Sequence, residues 1–233
     1  MGTKTMAEEK KQKYVRGVVV EFDFTAVDGS QLLFDAAKKR LADAGIDLDI
    51  KLEAKHLVGG NYQGGVTELF STLGNRHDPV LAAHDLAEAF RAAVTDATPA
   101  AVTPGFKAFV KALTDKGVKV VVATRGDVAA LQQALDGLPQ ELCVVYQEIS
   151  STYGNCKWDA WRRVCSMNDL HEMLTVAVAG SGAGVRSARV AGLSAIGVVH
   201  PHTAYQDFGG ADVVVEAFNA SLAGEALRML HMD

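Results

Sequence analysis

The 233-residue chain reads as an α/β protein: a parallel sheet covered by helices on both faces, with a block of helices inserted after the first strand. Three observations predict this. From Thr103 onward, short apolar runs alternate with helical patterns, as strands joined by helical crossovers do. The Val18-Val19-Val20 run is continuous rather than alternating, which is the pattern of a strand buried on both faces. Between residues 46 and 100 no convincing strand occurs, and a helical insertion is the simplest account of that stretch.

The opening strand runs into EFDFT at 21–25. Asp28 or Ser30 then caps a helix carrying Leu33, Ala37, Leu41 and Ala44 at helical spacing, and Gly45 ends it. Further helices are expected at Ile50 to His56, Val66 to Leu73 and Pro79 to Thr95, the last with proline in its first turn. Gly59-Gly60 and Gly64-Gly65 mark turns among them. A helix through Phe109 and Leu113 stops at Gly117, and a strand at Val118 to Ala123 ends at Thr124-Arg125-Gly126-Asp127. Val128 to Leu135 reads as helix, Cys143 to Tyr146 as a weaker strand, and a helix follows through Trp158, Trp161 and Val164. The clearest unit comes next: strand Leu174 to Ala179, glycine turn 180–184, helix Val185 to Ala191 closed by Gly192, and strand Ala195 to Val199. A short strand at Asp212 to Val215 and a helix from Ser221 finish the chain.

Composition narrows the partners. Hydrophobic residues at 48% with 22% charged suit a packed core, and a net charge of −5 supplies no basic field for nucleic acid. Cys143, Cys156 and Cys165 are an odd set without metal-type spacing, which fits a reducing compartment. Residues 1–13 mix Glu with Lys and form an expected disordered arm; no apolar run has the length of a membrane span. A soluble, cytoplasmic protein is expected, in preference to an organellar one.

In open parallel sheets, ligands bind beyond the carboxyl ends of the strands. Those ends carry Glu21 and Asp23, Thr124 and Arg125, Lys157, the Gly180 to Gly184 turn, and His200-Pro201-His202. Two residues apart on leaving one strand, Glu21 and Asp23 are expected to project to the same side, because the side-chain period of an extended chain is two. Thr124 offers a hydroxyl, Lys157 a point charge, and the turn's amides (Ser181 and Gly182 among them) a helix start that favours phosphate. Each has a plainer account, as a strand-end threonine, a solvated lysine or a connecting turn. Their recurrence at successive strand ends favours an anion site, with Arg125 either a further contact or a solvated loop residue. A dinucleotide fingerprint fails, because Val185 stands where the third glycine belongs. His200 and His202 lack an evident matching carboxylate and read as a loop. Lys55 and His56, near the insertion's glycines, are either ligand contacts or helix-surface residues.

With these residues in view, the chain resembles the haloacid dehalogenase superfamily, particularly its phosphoglycolate phosphatase-like and β-phosphoglucomutase-like members. EFDFT at 21–25 lies where that family has D-x-D-x-T/V, and VVVAT at 120–124 matches its second motif. Lys157 matches the third, and AGSGAGVRSARVAG at 179–192 looks like the fourth, GDSxxGxxAAxxAG. The resemblance spans residues 14–230. It implies a three-layer Rossmann-like core from 14–29 and 101–233, with a helical cap from 30–100.

It also implies roles. Glu21 stands at the nucleophile's position, where the family has aspartate, and Asp23 at that of the general acid/base. Thr124 and Lys157 take the phosphate-binding places, and Gly180 replaces a magnesium-binding aspartate. Glutamate moves its carboxylate one methylene out, and a displacement of about 1 Å can cost on the order of a hundredfold. Losing a metal carboxylate is more serious, since Mg²⁺ is bound by only one or two. The expectation is therefore a catalytically impaired pseudo-phosphatase, without a cofactor, that binds a small anion, a phosphorylated ligand or a protein partner. The alternative is an active phosphohydrolase with an altered site, in which Glu21 and Asp23 hold Mg²⁺.

Overall fold

The computed structural model describes residues 15–58, 62–124, 129, 133, 143–146 and 158–232. The expected arm over 1–13, most of the expected 128–135 helix, Arg125 and Lys157 lie outside the described residues.

Strands β1 (Val15–Glu21), β2 (Lys119–Ala123), β3 (Cys143–Tyr146), β4 (Leu170–Ala179), β5 (Ser194–Val198) and β6 (Val213–Val215) form one sheet. Every pairing is parallel, in the order β3-β2-β1-β4-β5-β6. That order reverses direction between β1 and β4, which makes their carboxyl ends the crevice where such sheets bind ligands. Val18, Val19 and Val20 are fully buried, as their continuous apolar run predicts. Burying each is worth about 1.5–3 kcal/mol.

Side chains alternate between the two faces. Val18, Val20, Val120, Val122, Val176 and Val178 face α5 (Pro104–Thr114) and the last helix, α8 (Ala220–Met229). On the other face, Val19, Val121, Ala177 and Ala179 pack on α6 (Trp158–Met167) and α7 (Gly182–Ala191), with Trp161 the largest buried group. Gly117 and Gly192, both at positive φ, stop α5 and α7 where the sequence places the stops.

A further helical layer, apart from the sheet and the helices on its two faces, consists of α1 (Gly29–Ala42), α2 (Ile50–His56), α3 (Tyr62–Leu73) and α4 (Pro79–Ala101), which share a core of Leu33, Leu41, Leu69, Phe70, Leu86 and Phe90. Asp28 rather than Ser30 caps α1, its carboxylate accepting the Gln31 N–H. Three expected boundaries need correction. α3 begins at Tyr62 instead of Val66, because buried Tyr62 belongs to the same apolar face. α4 runs past Thr95 to Ala101: buried Val94 holds the helix in the core where polarity alone suggested an end. β4 begins at Leu170 rather than Leu174, Leu170 being buried beside β1.

Candidate functional site

The EFDFT segment leaves the sheet abruptly. β1 ends at Glu21, and Phe22–Phe24 form a single tight 3₁₀ turn closed by Thr25, whose hydroxyl donates to the Glu21 carbonyl at 2.7 Å. Its two phenylalanines anchor the turn in different cores. Phe22 packs edge-on to Phe106 in the sheet core, with ring centres 5.6 Å apart. Phe24 stacks on Phe90 in the helical layer at 5.3 Å.

The side-chain period of two ends with the strand, and the two carboxylates accept from different neighbours. Asp23 Oδ1 accepts from the Thr124 hydroxyl at 2.6 Å, toward β2. Glu21 Oε2 accepts from the Gly180 N–H at 3.3 Å, toward β4. The three side chains are almost wholly buried, each 1% exposed. They lie at the reversal between β1 and β4, so the structure brings Glu21, Asp23, Thr124 and the Gly180 turn together.

The turn leaves little room. A Cβ on Gly180 would stand 1.9 Å from the Phe24 carbonyl oxygen and 2.6 Å from Phe24 Cβ. One on Gly184 would stand 2.9 Å from Glu21 Oε2, which places that carboxylate against the first turn of α7. The turn's amides are engaged internally. Ser181 caps α7 by accepting the Gly184 N–H at 3.0 Å, and the Gly182 N–H goes to Gln206 Oε1 at 2.9 Å. A ligand drawing on the Gly182 amide has to displace Gln206.

These residues do not fit a magnesium ion held as the resemblance implies. Glu21 and Asp23 are drawn to opposite neighbours, Gly180 has neither a side chain nor space for one, and no group of three or more Asp, Glu, His or Cys suited to a metal occurs among the described residues.

The helical layer meets the sheet layer through buried polar contacts. Glu53 of α2 is fully buried, and its Oε2 lies 2.6 Å from His202 Nδ1. The His200-Pro201-His202 loop therefore does have a matching carboxylate, one that sequence separation concealed. Burial, reinforced by the nearby carboxylates of Asp28 and Asp35, pushes Glu53 up to about 9. His202 Nε2 lies 3.1 Å from Gln31 Oε1, and Gln31 Nε2 donates to Asp35 at 2.9 Å. Burial likewise holds His200 below the usual imidazole range, opposed by Asp28 and by a contact with the Phe24 backbone.

Gln206, which the sequence did not single out, ties the same layers: its Nε2 donates to the carbonyls of Ala54 and Val58 at the end of α2. Glu53 carried one signal, since it shares the buried face of α2 with His56 and Leu57 three and four positions on. His56 is buried rather than on the helix surface, its Nδ1 3.5 Å from Glu68. Lys55 is exposed, on the opposite side of α2.

No family model matches the sequence, and no curated protein matches it. Solved structures match it along most of its length. CbbY from Rhodobacter sphaeroides in complex with phosphate superposes with a TM-score of 0.66 at 20% identity, covering 88% of this chain and 96% of its own. A β-phosphoglucomutase from Clostridium difficile does so at 0.70 and 12% identity, covering 94% and 100%. A HAD family hydrolase from Deinococcus radiodurans R1 with bound phosphate and sodium does so at 0.62 and 18%, covering 92% and 96%. The likeness is one of fold, and it agrees with the fold that the four motifs imply.

Proposed function

We propose that this chain, which carries the haloacid dehalogenase-type fold, is a catalytically impaired phosphatase-like protein that binds a small phosphorylated ligand or anion. In this reading helices α1 to α4 are the cap, residues 14–29 and 101–233 the core, and the protein works in the cytoplasm. Bound phosphate in two of the structural neighbours supports an anion as the ligand.

One observation carries the proposal: the Gly180 backbone lies so close to the Phe24 carbonyl that no side chain fits, while Glu21 accepts the Gly180 N–H. Phosphoryl transfer depends on positioning and on electrostatic stabilisation of charge at the transferring group. At this position a metal carboxylate is replaced by a backbone amide already engaged by Glu21. A phosphate dianion entering near Glu21 meets like charge with no described carboxylate cluster to seat a compensating cation.

A second reading is favoured by the Asp23 to Thr124 hydrogen bond: a buried, oriented carboxylate at the general acid/base position is what a working hydrolase with altered chemistry would keep. Both readings meet in one measurement. Release of phosphate from p-nitrophenyl phosphate and a panel of sugar phosphates, with and without Mg²⁺, is compared with that of Asp23→Ala. The impaired protein is expected to match its variant. Turnover that Asp23→Ala abolishes overturns the proposal in favour of the active enzyme.

A further inference from the structure

A cavity of about 370 Å³ opens between α2 and α7, and its charge is unlike that of the chain as a whole. Lys51 and Lys55, four residues apart and so on one face of α2, line one wall, and Arg186 of α7 lines the other. All three are exposed, and none is paired with a carboxylate among the described residues. Asp207 is the acidic residue of the lining, and its carboxylate is engaged by the Gly209 N–H at 2.7 Å. Three cations thus face one carboxylate in a protein of net charge −5. The cavity of about 300 Å³ beside α1 and α4 makes the contrast: Arg40 and His77 there face Asp43, Asp78 and Asp85.

Two of the groups contact other residues of the lining. The Arg186 guanidinium donates to the Asp207 carbonyl at 2.9 Å, and the Lys51 ammonium sits 5.9 Å from the centre of the Tyr205 ring. Cations lining one groove repel one another, and a multiply charged anion among them offsets that repulsion. The volume lies within the range of about 300–1,000 Å³ typical of small-molecule sites.

We propose that this groove is the binding site of a multiply charged phosphorylated small molecule, its phosphate held by Lys51, Lys55 and Arg186. The proposal rests on the anion-binding part of the functional reading and is independent of whether turnover has been lost. Gln206, which also lines the groove, connects it to the Gly182 amide and to the end of α2. An occupant there bridges the helical layer and the sheet layer.

Isothermal titration with inorganic pyrophosphate at low salt tests it on three proteins: the wild type, Lys55→Gln/Arg186→Gln, and the charge-matched control Lys39→Gln/Lys107→Gln. Binding to the wild type is expected to weaken at least about tenfold in the groove variant and with added NaCl, and to stay unchanged in the control. Equal weakening in the control shows nonspecific attraction and overturns the proposal. Binding kept at full strength in the groove variant puts the anion elsewhere on the protein; the groove then fails while the broader anion reading stands. No binding to the wild type overturns both.

Discussion

At the scale of single residues, Gly180 decides most. Against the motif that the chain resembles, Gly180 reads as the simple loss of an aspartate that one substitution would reverse, yet the space for the side chain is occupied by the Phe24 carbonyl at 1.9 Å from a Cβ. Gly180→Asp, alone or with Glu21→Asp, is therefore expected to destabilise the fold by about 1–3 kcal/mol, the usual cost of overpacking, measured by urea unfolding. It is expected to bring no Mg²⁺ affinity by calorimetry. A stable double variant that binds Mg²⁺ would show that the 21–25 turn yields at little cost. Cys165 illustrates the opposite kind of residue: buried, with the thiol pushed up to about 12 by desolvation and then by Glu172, it is a packing group and not a nucleophile.

At the scale of elements, the join between α2 and the loop after β5 has a pH signature. Glu53 has an ordinary value of 4.5 and is raised to about 9 in the folded chain, mainly by burial and further by Asp28 and Asp35. Between these values the folded state holds a proton that the unfolded state has released, so stability declines as pH rises through the window. The slope from one proton is at most about 1.4 kcal/mol per pH unit. Glu53→Gln keeps a polar side chain of the same size beside His202 and removes the titration. Its unfolding free energy is expected to fall less between pH 5 and pH 9 than that of the wild type, with the two closest at the acid end. Parallel pH profiles would mean that the Glu53 carboxyl is not held protonated. The capping of α7 is simpler: Ser181→Ala removes the acceptor for the Gly184 N–H and is expected to cost about 1 kcal/mol.

At the scale of the whole molecule, buried links join the sheet to the helical layer. The 21–25 turn sends Phe22 into one core and Phe24 into the other. Gln206 and His202, the latter in contact with Glu53, Gln31 and Phe34, add to the attachment. Phe24→Ala removes the Phe90 stack and leaves a cavity at this joint, with an expected loss of about 3–5 kcal/mol in chemical unfolding. That the same turn carries Glu21 and Asp23 means the candidate chemistry sits on a structural hinge-pin. Changes made there for catalysis also act on the packing of both layers.

Much of this architecture was legible in the amino-acid order, because burial on both faces of a parallel sheet demands continuous apolar runs, and glycine, proline and aspartate mark helix ends through local backbone geometry. Val18 to Val20, the Gly117 and Gly192 stops and the Asp28 cap are of this kind. The meeting of Glu21, Asp23, Thr124 and the Gly180 turn was also legible, since strand ends of one sheet share an edge. What only the folded chain decided are distances between residues far apart in sequence. They include the different partners of Glu21 and Asp23, the crowding of Gly180 by Phe24, and the buried pairing of Glu53 with His202 across 149 positions. Local preferences act over a few residues, whereas such contacts depend on how the layers pack, and a single chain's residue order does not encode them in any periodic form.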